Sequence, residues 1–165
     1  MNLEKIVIAQ ATLADVDGIL ELAGENGPNH GGELSVRLTR EEIAASIQAS
    51  PAVVARRNGQ VAGFVLTREK RGVNPPIVEA MLRAYAGGEN AYTYGPVCVE
   101  EATRGQGVAA RMFAELRRLL PGREGILFIK ASNEPSLRAH RKMGMREVGE
   151  FHFEGTQLVI FAYEG

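Results

Sequence analysis

The chain has one cysteine, Cys98, among its 165 residues. That excludes an intramolecular disulfide and a cysteine-rich metal site. It has no charge excess, with 19 Lys+Arg against 20 Asp+Glu and a formal net charge of −1. A dedicated nucleic-acid binder would show a basic surplus, so the balance argues against that class. No apolar run approaches the ~18 residues a membrane span requires. The histidines, His30, His140 and His152, have no metal-ligand spacing. The chain also lacks internal repeats, low-complexity tracts and a second domain boundary. Met1 to Gln10 carries Glu4 and Lys5 inside a short apolar stretch, which is a strand pattern and not a secretory leader. The chain contains 45% apolar and 24% charged residues, ordinary values for a soluble globular domain. At this length it can bury roughly 70% of its unfolded surface. The expectation is a reduced, cytoplasmic protein whose residues 1–165 form one domain, with no metal, membrane or nucleic-acid partner.

The apolar periodicities place the elements. Ile6-Val7-Ile8 is a β-branched run and opens the fold as a strand. Thr12 with Asp15 resembles a capping box, and Val16, Ile19, Leu20 and Ala23 continue at helical spacing, which predicts a helix over 12–23. Gly24 to Gly32 reads as a loop. Thr39 with Glu42 offers a second capping box for a helix that Pro51 stops. Asn58-Gly59 between two β-rich runs, 52–57 and 60–67, signals a hairpin, because a type I′ turn needs positive φ at both central residues. Pro75-Pro76 starts a helix that Gly87-Gly88 ends. Ala91 to Val99 is a strand interrupted at Gly95-Pro96, where proline removes a ladder donor and the strand is expected to bend or lose its pairing. Gly107 to Leu120 is an amphipathic helix, 126–131 a buried strand, and Asn133 to Met143 a helix. Two strands joined at Glu154-Gly155 close the chain. Hairpins mixed with crossover helices imply an α/β (α+β) fold, with a mixed, mostly antiparallel sheet of about seven strands and helices on both faces.

The most informative segment is Val97 to Arg111. A strand runs into Arg104-Gly105-Gln106-Gly107-Val108-Ala109-Ala110 and then a helix. The glycines let the backbone approach a ligand, and the first helical N–H groups add a partial positive charge there. Arg104 supplies a full charge and a fork of donors. The amides of Gln106 to Ala110 would cradle a diphosphate. A solvated, glycine-rich turn with no ligand is the bland alternative. Gly105-x-Gly107-x-x-Ala110 also satisfies the loose dinucleotide pattern, but it follows a late strand instead of the first one. A P-loop would need Lys and then Ser or Thr where Val108 and Ala109 stand.

These residues resemble the GNAT superfamily of acyl-CoA-dependent N-acyltransferases. Arg104-Gly105-Gln106-Gly107-Val108-Ala109 matches its motif R/Q-x-x-G-x-G/A, and Val97-Cys98-Val99 stands at the spacing of its central strand. Asn133-x-x-Ser136-x-x-x-His140-x-x-x-Gly144-Met145 resembles its second motif, and Ala11-Thr12-x-x-Asp15 its lead into the first helix. The resemblance covers essentially the whole chain. It implies two splayed central strands, with pantetheine pairing to the backbone of Val97, Cys98 and Val99. It also places the pyrophosphate on Arg104 to Ala110, with Asn133, Ser136 and His140 along one helical stripe facing the arm. The implied donor is acetyl-CoA, and the implied acceptor is an amine of a small molecule, peptide or protein.

The family usually carries Tyr where this chain has His140. Histidine titrates near neutrality, so His140 is a candidate acid for the departing thiolate; a surface residue that merely packs on the coenzyme is the alternative. Tyr94, Tyr92, Glu79 and Glu100 are candidate bases, with a water relay as the bland option. A backbone N–H of 97–99 would polarise the thioester carbonyl. Cys98 is read as a buried strand residue. Gly24 to Leu38 and Glu69 to Asn90 are the segments expected to choose the acceptor, and Glu25, Glu33, Glu79 and Glu89 would suit a cationic one. The final hairpin could support a homodimer. Two rivals stay open: a non-catalytic acyl-CoA-binding or sensing module, and a dinucleotide-dependent oxidoreductase.

Overall fold

The computed structural model describes residues 5–25 and 38–165. The strands form a seven-stranded sheet in the order β1-β2-β3-β4-β5-β7-β6. They are β1 (Ile6–Gln10), β2 (Val53–Arg57), β3 (Gln60–Glu69), β4 (Tyr92–Val99), β5 (Glu124–Lys130), β6 (Arg146–Phe153) and β7 (Thr156–Glu164). The helices are α1 (Val16–Glu25), α2 (Arg40–Ala49), α3 (Pro76–Ala84), α4 (Val108–Leu119) and α5 (Glu134–Lys142). Two compact units result. The first runs to Arg68 and adds Gly95–Leu120; the second takes Glu69–Tyr94 and Pro121–Gly165. β4 changes unit between Tyr94 and Gly95.

In the first unit, β1, β2 and β3 pair antiparallel, and the turn between β2 and β3 sits on Asn58 and Gly59 at φ 54° and 78°, as a type I′ hairpin needs. The period-two alternation of strands sorts the core onto two faces. Val54, Phe64 and Leu66 pack with Ile19 and Leu22 of α1 and Ile43 of α2. On the other face a Cβ on Gly63 would meet the Met112 side chain of α4 at 3.1 Å. The buried residues of α4, Val108, Met112, Phe113 and Leu116, keep the spacing of a single helical stripe. No helix among the described residues is long and apolar enough to cross a membrane.

α1 is introduced by the expected capping box. Thr12 Oγ1 accepts from the Ala14 amide at 3.3 Å, and the Thr12 amide donates to Asp15 at 2.9 Å. The turn Leu13–Asp15 is 3-10, and the α-helix then continues through Gly24 to Glu25, past the expected end at Ala23. The Arg56 guanidinium grips Asp15 through two bonds, at 3.0 and 2.7 Å, with Asp15 only 6% exposed. Burial pushes the Asp15 carboxyl up, but the bonds from Arg56 and from the Thr12 amide outweigh it, and the net shift is downward. A depressed folded-state pKa gives stability that is complete above the unfolded value of about 3.9 and is lost as pH falls through the folded value. Asp15→Asn is therefore expected to cost about 2 kcal/mol at pH 7. Urea denaturation should show the gap to the parent chain closing below pH 4.

The second unit places β7 between β5 and β6, antiparallel to both. Val78 and Met81 of α3 pack with Ile126, Phe151, Leu158 and Ile160 on one face. α5 lies on the opposite face, where the Arg141 guanidinium stands 5.8 Å from the Phe161 ring centroid. β4 runs parallel to β5, and among the described residues their ladder covers Tyr92↔Gly125 and Thr93↔Ile126, whereas β5 pairs with β7 from Glu124 to Lys130. Gly95-Pro96 is a cis peptide; β4 continues through it as a strand, and its described pairing with β5 stops before it, at Thr93, in keeping with the expected bend or loss of pairing. Of the loop expected over Gly24 to Gly32, residues 26–32 lie outside the described residues. So do His30, Glu33 and most of the Gly24 to Leu38 segment.

Candidate active site

The first unit carries the glycine turn. β4 ends at Val99, and the Glu100 amide bonds the Ala62 carbonyl of β3 at 2.8 Å. A 3-10 turn over Glu101–Thr103 then leads into Arg104, whose Nε donates back to the Val99 carbonyl at 3.1 Å. Gly107 is the N-cap of α4 at φ 76°, a left-handed conformation that disfavours side chains, and the space where its Cβ would stand is open. Gly105 shares both properties at φ 81°. No side chain caps this helix, and no acidic residue lies in its first turn. The first helical bond runs from the Arg111 amide to the Gly107 carbonyl at 3.0 Å, so the amides of Val108, Ala109 and Ala110 have no helical acceptor. Arg104, Gly105, Gln106 and Ala110 are exposed, Ala109 is half-buried, and Val108 anchors the turn in the core. An uncapped, acid-free helix N-terminus behind two open glycines is chemically suited to an anion such as a diphosphate.

Upstream on β4, Val97 and Val99 are half-buried and Cys98 is buried. Burial pushes the Cys98 thiol up to about 11, although Arg104 acts the other way, so the group stays a thiol at neutral pH and makes a poor nucleophile. Glu100 is bound by Arg57 at 2.7 Å, so that carboxylate is already committed.

The second unit brings Tyr94, Ser136 and His140 together. Asn133 is the N-cap of α5 and accepts from the Ser136 amide at 3.3 Å, which explains its place at the start of the motif. His140, one helical stripe further on, is 4% exposed and is therefore not the surface residue that the alternative reading described. Its Nδ1 lies 2.8 Å from the Ser136 carbonyl, and its Nε2 lies 3.5 Å from the Tyr94 hydroxyl. Burial holds the imidazole below its ordinary pKa, against the bond to Ser136. Burial pushes the Tyr94 phenol well above its ordinary range, and Tyr92 adds to that. Both groups rest uncharged at neutral pH.

A residue that sequence reasoning missed completes this cluster. The Tyr163 ring of β7 meets Tyr94 edge-on at 5.9 Å, and its hydroxyl bonds that of Tyr92. Gly125 makes room for it, since a Cβ there would fall 2.3 Å from Tyr163 Cζ. A glycine inside an otherwise apolar strand was the available signal. Glu79 sits in the first turn of α3, apart from these bonds. A polar cavity of about 220 Å³ lies among Glu69, Arg71, Glu89, Asn90, Ala91 and Arg123, and neither Tyr94 nor His140 lines it. Among the described residues no three His, Cys, Asp or Glu side chains are grouped to hold a metal.

Comparison with known proteins identifies the fold and the family. No curated protein sequence matches the chain. Solved structures share its fold. A GNAT-family acetyltransferase from Streptococcus agalactiae superimposes with a TM-score of 0.74 at 17% identity, over 97% of this chain and 95% of its own. NAA60 of Arabidopsis thaliana, in complex with acetyl-CoA, gives 0.72 at 19% identity over 97% and 98%. The protein yncA of Salmonella typhimurium, with its cofactor acetyl-CoA, gives 0.71 at 17% over 97% and 94%. The model of the acetyltransferase (GNAT) family matches residues 16–145, a span that holds the glycine turn, Tyr94 and His140. The chain thus belongs to the GNAT acetyltransferase family and is an acyltransferase.

Proposed function

We propose that this enzyme moves the acetyl group of acetyl-CoA directly to an amine of a small molecule, peptide or protein. The observation that carries the reading is the uncapped, acid-free N-terminus of α4 behind the left-handed Gly105 and Gly107. Two of the structural neighbours were solved with acetyl-CoA, which supports that donor. Arg104, Gly105 and Gln106 would hold its diphosphate together with the amides from Gly107 to Ala110. The backbone of Val97, Cys98 and Val99 would pair with the pantetheine arm, and one N–H there would polarise the thioester carbonyl as its oxygen becomes anionic. Asn133, Ser136 and His140, along one stripe of α5, would be further coenzyme-binding residues.

The test is thiol release from acetyl-CoA with a panel of polyamines, amino acids and short peptides, read beside calorimetry with coenzyme A. Amine-dependent release with a matching acetylated product is expected. Coenzyme binding with no release across the panel would favour the binding-module reading instead. Absence of binding would overturn the assignment of the turn.

A further inference from the structure

We infer that Tyr94 and His140 form a proton relay: the Tyr94 hydroxyl receives the proton that the acceptor nitrogen sheds and passes its own proton to Nε2 of His140. This rests on the acetyl-transfer reading and gives the two residues roles within it.

The polarity of the relay follows from hydrogen-bond chemistry. The Ser136 carbonyl can only accept, so its 2.8 Å contact requires the proton of a neutral imidazole to sit on Nδ1. Nε2 is then a lone pair, and the Tyr94 hydroxyl is its donor. The Ser136 hydroxyl, 3.3 Å from Nδ1, lies on the same side of the ring. A resting His140 in this tautomer has no proton on Nε2 to give, and the pair is set to accept one. The shifts described above fit that state, with a phenol that keeps its proton and an imidazole that is neutral.

The surroundings leave the ring to these partners. Tyr94 faces it from β4, edge-on at 5.8 Å between ring centroids. From β7, Tyr163 meets Tyr94 and not His140. On α5 itself, Arg141 and Lys142 are exposed, and Arg141 turns toward Glu147 of β6 at 3.7 Å and the Phe161 ring of β7. Among the described residues no carboxylate bonds the imidazole.

The step balances without an added reactant. As the acceptor nitrogen forms its C–N bond, one N–H proton goes to the Tyr94 oxygen, and the Tyr94 proton goes to Nε2. As the C–S bond breaks, the electron pair leaves on sulfur. The imidazolium, disfavoured by burial, returns its proton through Tyr94 to that sulfur. Tyr94 is the catalytic residue of this scheme, and His140 acts through it as a positioning residue and proton reservoir.

Two measurements test it. Nitrogen NMR of the imidazole at pH 7 should show a protonated Nδ1 and an unprotonated Nε2, with the Nε2 resonance displaced in Tyr94→Phe. A protonated Nε2 would overturn the relay whether or not any amine is acetylated. His140→Gln keeps an acceptor for the Tyr94 hydroxyl but cannot take its proton. It should lower kcat at least about 30-fold with both KM values within about threefold, and remove the acid limb of the kcat profile below pH 6.5. Tyr94→Phe should lose a similar factor, and the double variant little more than either. Full turnover in His140→Gln, or independent losses in the two variants, would overturn the relay. No turnover by the parent chain on any amine would overturn the acetyl-transfer reading, with the NMR result still deciding the hydrogen bond.

Discussion

Ala110→Glu is expected to weaken acetyl-CoA binding by about 100-fold while leaving the chain as stable as before, or slightly more so. Ala110 is the third residue of α4, exposed, in a first turn that has no acid and no cap. A carboxylate there complements the helix dipole and contributes about 0.3–1 kcal/mol of stability. The same carboxylate opposes the two phosphates that this terminus is proposed to hold. A factor of 100 corresponds to about 2.7 kcal/mol, the scale of charge-assisted hydrogen bonds lost plus like charges brought together. Opposite signs in melting temperature and affinity separate a lost ligand site from a damaged fold. Ala110→Gln, of similar volume and no charge, should remain within a few-fold of the parent in calorimetry. Equal affinity in the Glu variant would move the diphosphate away from this turn.

Gly125→Ala should destabilise the second unit by about 3 kcal/mol. The new methyl would lie 2.3 Å from Cζ and 2.4 Å from Oη of Tyr163, well inside contact distance. The ring cannot swing aside cheaply, because Tyr163 is 4% exposed, bonded to the Tyr92 hydroxyl and packed edge-on against Tyr94. Urea denaturation measures the loss. Tyr163→Leu in the same chain should recover part of it by removing the ring tip; the absence of any recovery would show that the strain lies elsewhere.

The parts legible in the sequence are those set by local chemistry. Asn58-Gly59, the Thr12–Asp15 box and the Val108–Leu116 stripe each state their geometry within a few residues, and the structure places them as read. The glycine turn was legible for the same reason, since left-handed backbone at Gly105 and Gly107 needs glycine in the sequence itself. Contacts made across the sheet were not legible. Tyr163 stands 69 residues from Tyr94 (163 − 94), and nothing local couples them. The hydrogen-bond polarity of His140 was also hidden, because it is set by a backbone carbonyl one turn back and not by a side-chain type. Likewise, Arg56 and Asp15 are 41 positions apart and meet only because β2 lies beside the start of α1.

The missing cap on α4 has a further consequence. A helix that begins on glycine without a serine, threonine or aspartate to close it forgoes a few tenths of a kcal/mol, about 0.3. A bound coenzyme would fill the role of that absent side chain, so its phosphates would finish the helix as well as dock on it. Fraying of the first turn should therefore be quenched on loading, seen as slowed amide exchange at Val108, Ala109 and Ala110. The end of this helix would be made whole only while the donor is present.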